Sequence, residues 1–184
     1  MKNFALMIVA AGTLAACNKA PEVHEKDASV AEVAKKVREA SADQSFVRPG
    51  LWQSKVTIEQ LEMPGMPPEA AERMKTMMAQ NQAHDFKTCL TPEDVNKPKE
   101  DFFAGKNNEC RYDHFTMGGG KIDAAMRCGG KDGTSVMQMA GTYSPDSYNM
   151  QTSMKIRSGQ AEGGMAMSMR IEAQRIGECT GKEG

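Results

Sequence analysis

Two stretches near the C-terminus switch between apolar and polar side chains at almost every step, and such a pattern is buried economically only as β-strands. Tyr148, Met150, Thr152, Met154 and Ile156 alternate with Asn149, Gln151, Ser153, Lys155 and Arg157. Met165, Met167, Met169, Ile171 and Ala173 alternate in the same way with Ala166, Ser168, Arg170, Glu172 and Gln174. Successive side chains on a strand point to opposite faces, so this period sets one face on a core and the other in water, as antiparallel meanders do. Glycine and proline punctuation at 118–120, 129–133, 144–146 and 158–164 divides everything after Cys110 into strand, turn and strand. The expected fold is mainly β: a curved antiparallel meander sheet or partly open barrel with one covering helix.

Upstream, Pro49-Gly50-Leu51-Trp52 opens the domain, with Trp52, Val56 and Ile58 on one face of a strand that runs to about Met63. The turn-rich Met63-Pro64-Gly65-Met66-Pro67-Pro68 follows, and residues 69–82 read as the covering helix, with Ala71, Met74 and Met78 on one face. Prolines are tolerated at its start because the first amides of a helix lack an intrahelical partner. Residues 84–90 predict a short strand. Thr91 then caps a helix, with Pro92 at its first position and Asp94 three residues on.

Five cysteines are present, and four of them, Cys89, Cys110, Cys128 and Cys179, fall in the strand-rich region. An even number predicts two disulfides if the chain is exported to an oxidising compartment, as its N-terminus implies. Of three formal pairings, geometry favours one. Cys110 and Cys128 are equidistant from Gly119, so a hairpin turning there sets them opposite each other, where facing Cα atoms stand about 4.5 to 5.5 Å apart. Cys89 and Cys179 then pair by elimination, closing a loop long enough to stabilise the fold by about 4 kcal/mol in the chain-entropy model. A four-cysteine zinc site is the rival, but no C-x-x-C spacing occurs.

The remaining cysteine carries an address. Lys2 and the apolar run 4–10 make a secretory leader too short for a permanent membrane span. Leu14-Ala15-Ala16-Cys17 resembles the lipobox of bacterial lipoproteins. The resemblance implies that residues 1–16 are removed and that Cys17 is lipidated, making the membrane a partner through its acyl chains. One chain holds marginally at about 0.8 kcal/mol per methylene, whereas two or three anchor stably. The expected location is the cell envelope, facing the periplasm, and Asn18 in place of an aspartate points to the outer membrane. Residues 17–46 read as the acylated cysteine and a partly helical tether, with Val30, Val33, Ala34 and Val37 at helical spacing but too little apolar surface to fold alone. Residues 47–184 form the single disulfide-stabilised β domain.

Pro49-Gly50-Leu51-Trp52, Cys89-Leu90-Thr91-Pro92-Glu93-Asp94, the Cys110 and Cys128 hairpin and Arg175-Ile176-Gly177-Glu178-Cys179 together resemble the bacterial family known as domain of unknown function 3617. The resemblance runs from about Pro49 to Cys179. It implies an exported protein and supplies no catalytic residue to carry over.

Several function classes are excluded or weakened by composition. A net charge of −1 without a basic stripe gives no electrostatic basis for nucleic-acid binding, and 5% aromatic residues leave little for a stacking platform. His24, His84 and His114 lie in no metal or triad spacing, and Asp113 and His114, as strand neighbours, point to opposite faces. Glu93 and Asp94 are explained by helix capping. Gly118-Gly119-Gly120 is a turn, since no Lys-Ser or Lys-Thr follows it into a helix. No catalytic residue, metal or cofactor is implied.

The unusual feature is sixteen methionines, including Met137-Gln138-Met139 and Met165-Ala166-Met167-Ser168-Met169. Methionine commonly serves as an adaptable core residue. It can also line a cleft for an acyl chain or other apolar ligand, and thioethers select Cu(I). The leading expectation is a noncatalytic binding module for an apolar or envelope-derived small molecule, lined by Met139, Met150, Met154, Met167 and Met169. The alternative is a structural protein that docks an envelope partner, and Cu(I) binding through methionines is a minor one. Reduction of the disulfides, or Cys110→Ser, is expected to lower the melting temperature, with about 3 kcal/mol at stake for a loop of this size. An unchanged melting curve refutes the pairing.

Overall fold

The computed structural model describes residues 21–42, 45–82, 86–96, 109–130, 133–158 and 164–181. Cys17, the leader and His84 lie outside the described residues. In chain order the elements are β1 (Val23–Ser29), α1 (Val30–Ala40), β2 (Gly50–Glu62), α2 (Pro68–Gln82), β3 (Phe86–Leu90), α3 (Pro92–Asn96), β4 (Cys110–Gly118), β5 (Lys121–Gly130), β6 (Gly133–Ser144), β7 (Ser147–Ser158) and β8 (Gly164–Gly177). All eight strands join one antiparallel sheet in the order β1-β4-β5-β6-β7-β8-β2-β3. Strands β4 to β8 form the predicted meander. The edges β1 and β3 do not meet, so the sheet stays open.

The β4–β5 hairpin pairs Gly118 with Lys121, leaving Gly119 and Gly120 as the two turn residues. Their φ angles of 57° and 75° are the left-handed pair that a tight hairpin turn needs and that glycine adopts without a Cβ clash. A two-residue turn by itself would set Cys110 opposite Gly129. A bulge at Asp113 shifts the register by one residue, and Cys110 faces Cys128. Both disulfides are present, Cys110–Cys128 and Cys89–Cys179, the latter with Cα atoms 5.5 Å apart. The same bulge resets the alternation, so Tyr112 and Phe115, three apart, both point into the core and meet edge to face at 5.4 Å.

Residues 23–42 and Phe46 correct the tether expected over 17–46. They supply strand β1 on the sheet edge beside β4, helix α1, and the buried Phe46. Ser29 caps α1 through a reciprocal capping box with Glu32. Val33 and Ala34 are 0% exposed and Val37 3%, and Val33 and Val37 pack in a cluster with Tyr112, Phe115, Ile122 and Met126. The helical spacing was legible. What makes the segment part of the domain is the sheet face waiting for it, so its own modest apolar area was the wrong criterion.

The expected covering helix is corrected likewise. Helix α2 forms where the prolines predict and lies along β2 with Ala71 and Met78 half-buried, but Met74 of the same face is 39% exposed, and the helix that closes the buried cluster is α1. Thr91 and Asp94 make the predicted reciprocal cap of α3: Asp94 N–H donates to Thr91 Oγ1 at 3.1 Å, and Thr91 N–H to Asp94 Oδ2 at 3.0 Å.

Tyr112, 1% exposed, holds a hydroxyl with no hydrogen-bond partner among the described residues. Burial pushes its phenol from 10.0 up to about 12. The unfolded chain therefore releases this proton at lower pH than the folded one, and the folded state loses stability as pH rises from 10.0 through about 12. Tyr112→Phe is expected to be neutral or stabilising by about 1 kcal/mol near neutral pH and to lose less stability than wild type at about pH 11, by urea unfolding. A variant several kcal/mol less stable near neutral pH would mean that the hydroxyl is bonded.

Candidate functional site

Cross-strand pairing places the methionines of β5 to β8 on one face in transverse rows. Met126 faces Met137, which faces Met154, which faces Met167, which faces Leu61 of β2. The next row is Ala124, Met139, Thr152, Met169 and Ile58, and the next Ile122, Gly141, Met150, Ile171 and Val56. A second bulge, at Glu59, turns Leu61 onto the same face as Ile58, which plain alternation would forbid.

Helix α1 divides this face. On its side the apolar residues are interior: Met126 is 4% exposed, and Met137, Met139 and Met150 pack against the buried cluster. Farther across, Met154, Met167 and Met169 are half-buried, together with Val56, Ile58 and Ile171. The five methionines expected as lining therefore share one face but fall into two environments. Met139 and Met150 lean on the core, whereas Met154, Met167 and Met169 stand in the open part. Sequence reasoning did not single out Met137 or Leu61 as lining. The Met137-Gln138-Met139 run was a usable signal for the first, and nothing in the local pattern announces the bulge that turns the second inward.

The opposite face is polar. Glu59 accepts from Gln151 and from Arg170, at 3.0 Å from Nε and 2.6 Å from Nη2, and these bonds hold its carboxyl below the usual range. His114 Nε2 lies 2.5 Å from Asp123 Oδ1, and Arg127 Nε donates to Asp113 at 2.5 Å. Two open depressions of about 610 and 320 Å³ lie on this side, lined mainly by residues such as Gln53, Lys55, Glu172 and Gln138, and none of the methionines lines either. Among the described residues no group of three His, Cys, Asp or Glu side chains is placed to hold a metal.

The motif residues at the β2 end form a structural clamp. Gly50 has φ 142°, and a Cβ there would sit 2.5 Å from both Arg175 Nε and the Gly177 carbonyl, so only glycine fits. Arg175 Nε donates to the Pro49 carbonyl at 2.7 Å, and Trp52 Nε1 to the Arg48 carbonyl at 3.1 Å. Trp52 also stacks on Tyr148, and Arg48 pairs with Asp146 in the β6–β7 turn. These groups tie the start of β2 to the end of β8, to β7 and to the β6–β7 turn.

Fold and face together define an open antiparallel sheet domain, half covered by a single N-terminal helix. Residues 47–179, well over half of the chain, match the family described as protein of unknown function (DUF3617), and the chain belongs to it. No curated protein and no solved structure matches the chain.

Proposed function

We propose that this chain is an exported lipoprotein, cut before Cys17 and tethered through acyl chains on that residue, facing the periplasm from the outer membrane. Its domain acts without catalysis and holds an apolar, envelope-derived small molecule against the open half of the methionine face. The lipobox-like Leu14-Ala15-Ala16-Cys17 supports the address, and two disulfides suit an oxidising compartment. With β1 beginning at Val23, the link from Cys17 spans at most about 20 Å, so the sheet would ride close to the bilayer that supplies such a ligand.

One observation carries the ligand reading: Met154, Met167 and Met169 are half-exposed beside Val56, Ile58 and Ile171, forming a contiguous apolar surface. Surfaces of that kind on a folded domain usually serve binding. Unbranched thioethers adapt to a flexible apolar guest better than branched aliphatics do. A docked envelope protein is the second reading, favoured by Phe86, 48% exposed on the edge strand β3, whose facing residue Ser54 lies in the row of Ala173 and Tyr148.

In cells fed labelled palmitate, the wild-type chain is expected to take up label and fractionate with membranes, and Cys17→Ser to do neither; label retained by Cys17→Ser would sink the anchor. For the ligand, an uncharged naphthalene dye that brightens in apolar surroundings should bind the full chain. Met167→Lys should weaken it at least about tenfold, equivalent to about 1.4 kcal/mol, with the melting curve kept. A dye that ignores wild type, or binds Met167→Lys equally well, refutes the ligand reading.

A further inference from the structure

We propose a site for a monovalent soft cation, Cu(I), built from the thioethers of Met137, Met154 and Met167. It goes beyond the apolar-ligand reading and stands whether or not that reading holds. These three residues face one another directly on the adjacent strands β6, β7 and β8. Facing side chains on neighbouring strands have Cβ atoms about 5 Å apart, and a methionine sulfur swings on three rotatable bonds, so the outer two sulfurs can lean in over the central one and meet a single ion. Of the rows, this is the one that offers three consecutive thioethers outside the buried Met126. In the next, Thr152 interrupts Met139 and Met169.

The surroundings suit this ion and few others. Soft thioethers select Cu(I), while the oxygen ligands that hard divalent ions need are missing from the row. Cys89, Cys110, Cys128 and Cys179 are locked in disulfides, so among the described residues no thiolate competes. Met137 packs against the core and fixes one wall, whereas Met154 and Met167 remain half-buried, which leaves an arriving ion a path from solvent. A thioether also has no proton to lose. Ion uptake by this row is therefore insensitive to acid, unlike uptake by histidine or thiolate ligands, which protons displace.

The test uses the full chain with Cys17→Ser, kept anaerobic and titrated with Cu(I) against a chromophoric chelator at about pH 7 and about pH 5. One ion is expected to bind at both pH values. Met154→Leu, which keeps the side-chain volume and removes the central sulfur, should weaken binding at least about tenfold, the loss that even supporting residues of metal sites commonly cause. Met77→Leu on α2 should leave it unchanged. No uptake, undiminished uptake by Met154→Leu, or loss of the ion at about pH 5 overturns the site. Should Met154→Leu fail to fold, carbon-13 methyl spectra of the methionines decide with Ag(I) as a redox-inert probe. Shifts confined to Met137, Met154 and Met167 support the site, and shifts on Met74 and Met77 instead overturn it.

Discussion

The width of the apolar sheet face against the width of one helix governs the rest of this structure. Eight strands at about 4.8 Å spacing make a surface roughly 35 Å across, and a helix with its side chains covers about 10 Å of it. Helix α1, eleven residues long, lies over the part nearest β1 and β4 and closes Val33 and Val37 onto Phe115 and Tyr112. A sheet that joined its edges would have a second wall to offer the other half. With β1 and β3 apart, that half has no second wall of strands among the described residues, and α2 meets it along β2. The division into a finished core and an open apolar surface follows from this mismatch, before any particular ligand is considered.

Register decides which residues share that fate, and two of the sheet's three register shifts, at Asp113 and Glu59, set it for the apolar rows. In β4 the extra residue Asp113 lets Tyr112 and Phe115 both face inward and brings Cys110 opposite Cys128. In β2 the extra residue Glu59 keeps Ile58 and Leu61 on one face and turns its own carboxylate out to Gln151 and Arg170. Each bulge places an acidic side chain on the polar face, where Arg127 or Arg170 meets it. A bulged strand bends as well as shifts. The two devices that align the apolar rows therefore also contribute to the curvature of the sheet that carries them.

Much of this architecture was legible in the residues, and the gaps have physical causes. Period two is a strong signal where one face is buried, so β7 and β8 could be read almost to the residue, as could the glycine turn and the Thr91 cap. Strand β1 could not: its buried side chains, Val23 and Ala28, are five apart, and Asp27 between them takes a positive φ of 48°, which breaks the alternation. The N-terminal helix is visible by spacing, but its own apolar area is small, and only the sheet face beneath it makes it part of the domain. The sequence points to α2 as the cover because Ala71, Met74 and Met78 share a helical face, although Lys75 flanks that face and Met77 lies off it, which leaves the helix weakly amphipathic. The agreement of the Cys110 and Cys128 spacing with a turn at Gly119 is instructive: the pairing was correct, yet the actual turn is offset and the bulge restores the match.

The candidate site was harder to read for a different reason. Met139 and Met150 occupy the same inward positions along their strands as Met154 and Met167, with the same chemistry and the same alternating neighbours. What separates them is whether α1 lies above, a long-range fact that no local pattern encodes. Methionine is also a weak choice for a strand if packing alone is at stake, since β-branched side chains fit a pleated surface better. At Met137 and Met150, flexibility is useful for filling the irregular space beneath α1. On the open half that explanation weakens, because among the described residues no helix buries Met154, Met167 and Met169 as α1 buries its side, and Val56, Ile58 and Ile171 already supply branched residues beside them. Thioethers at the centre of an open apolar surface are therefore the part of this face that packing explains least.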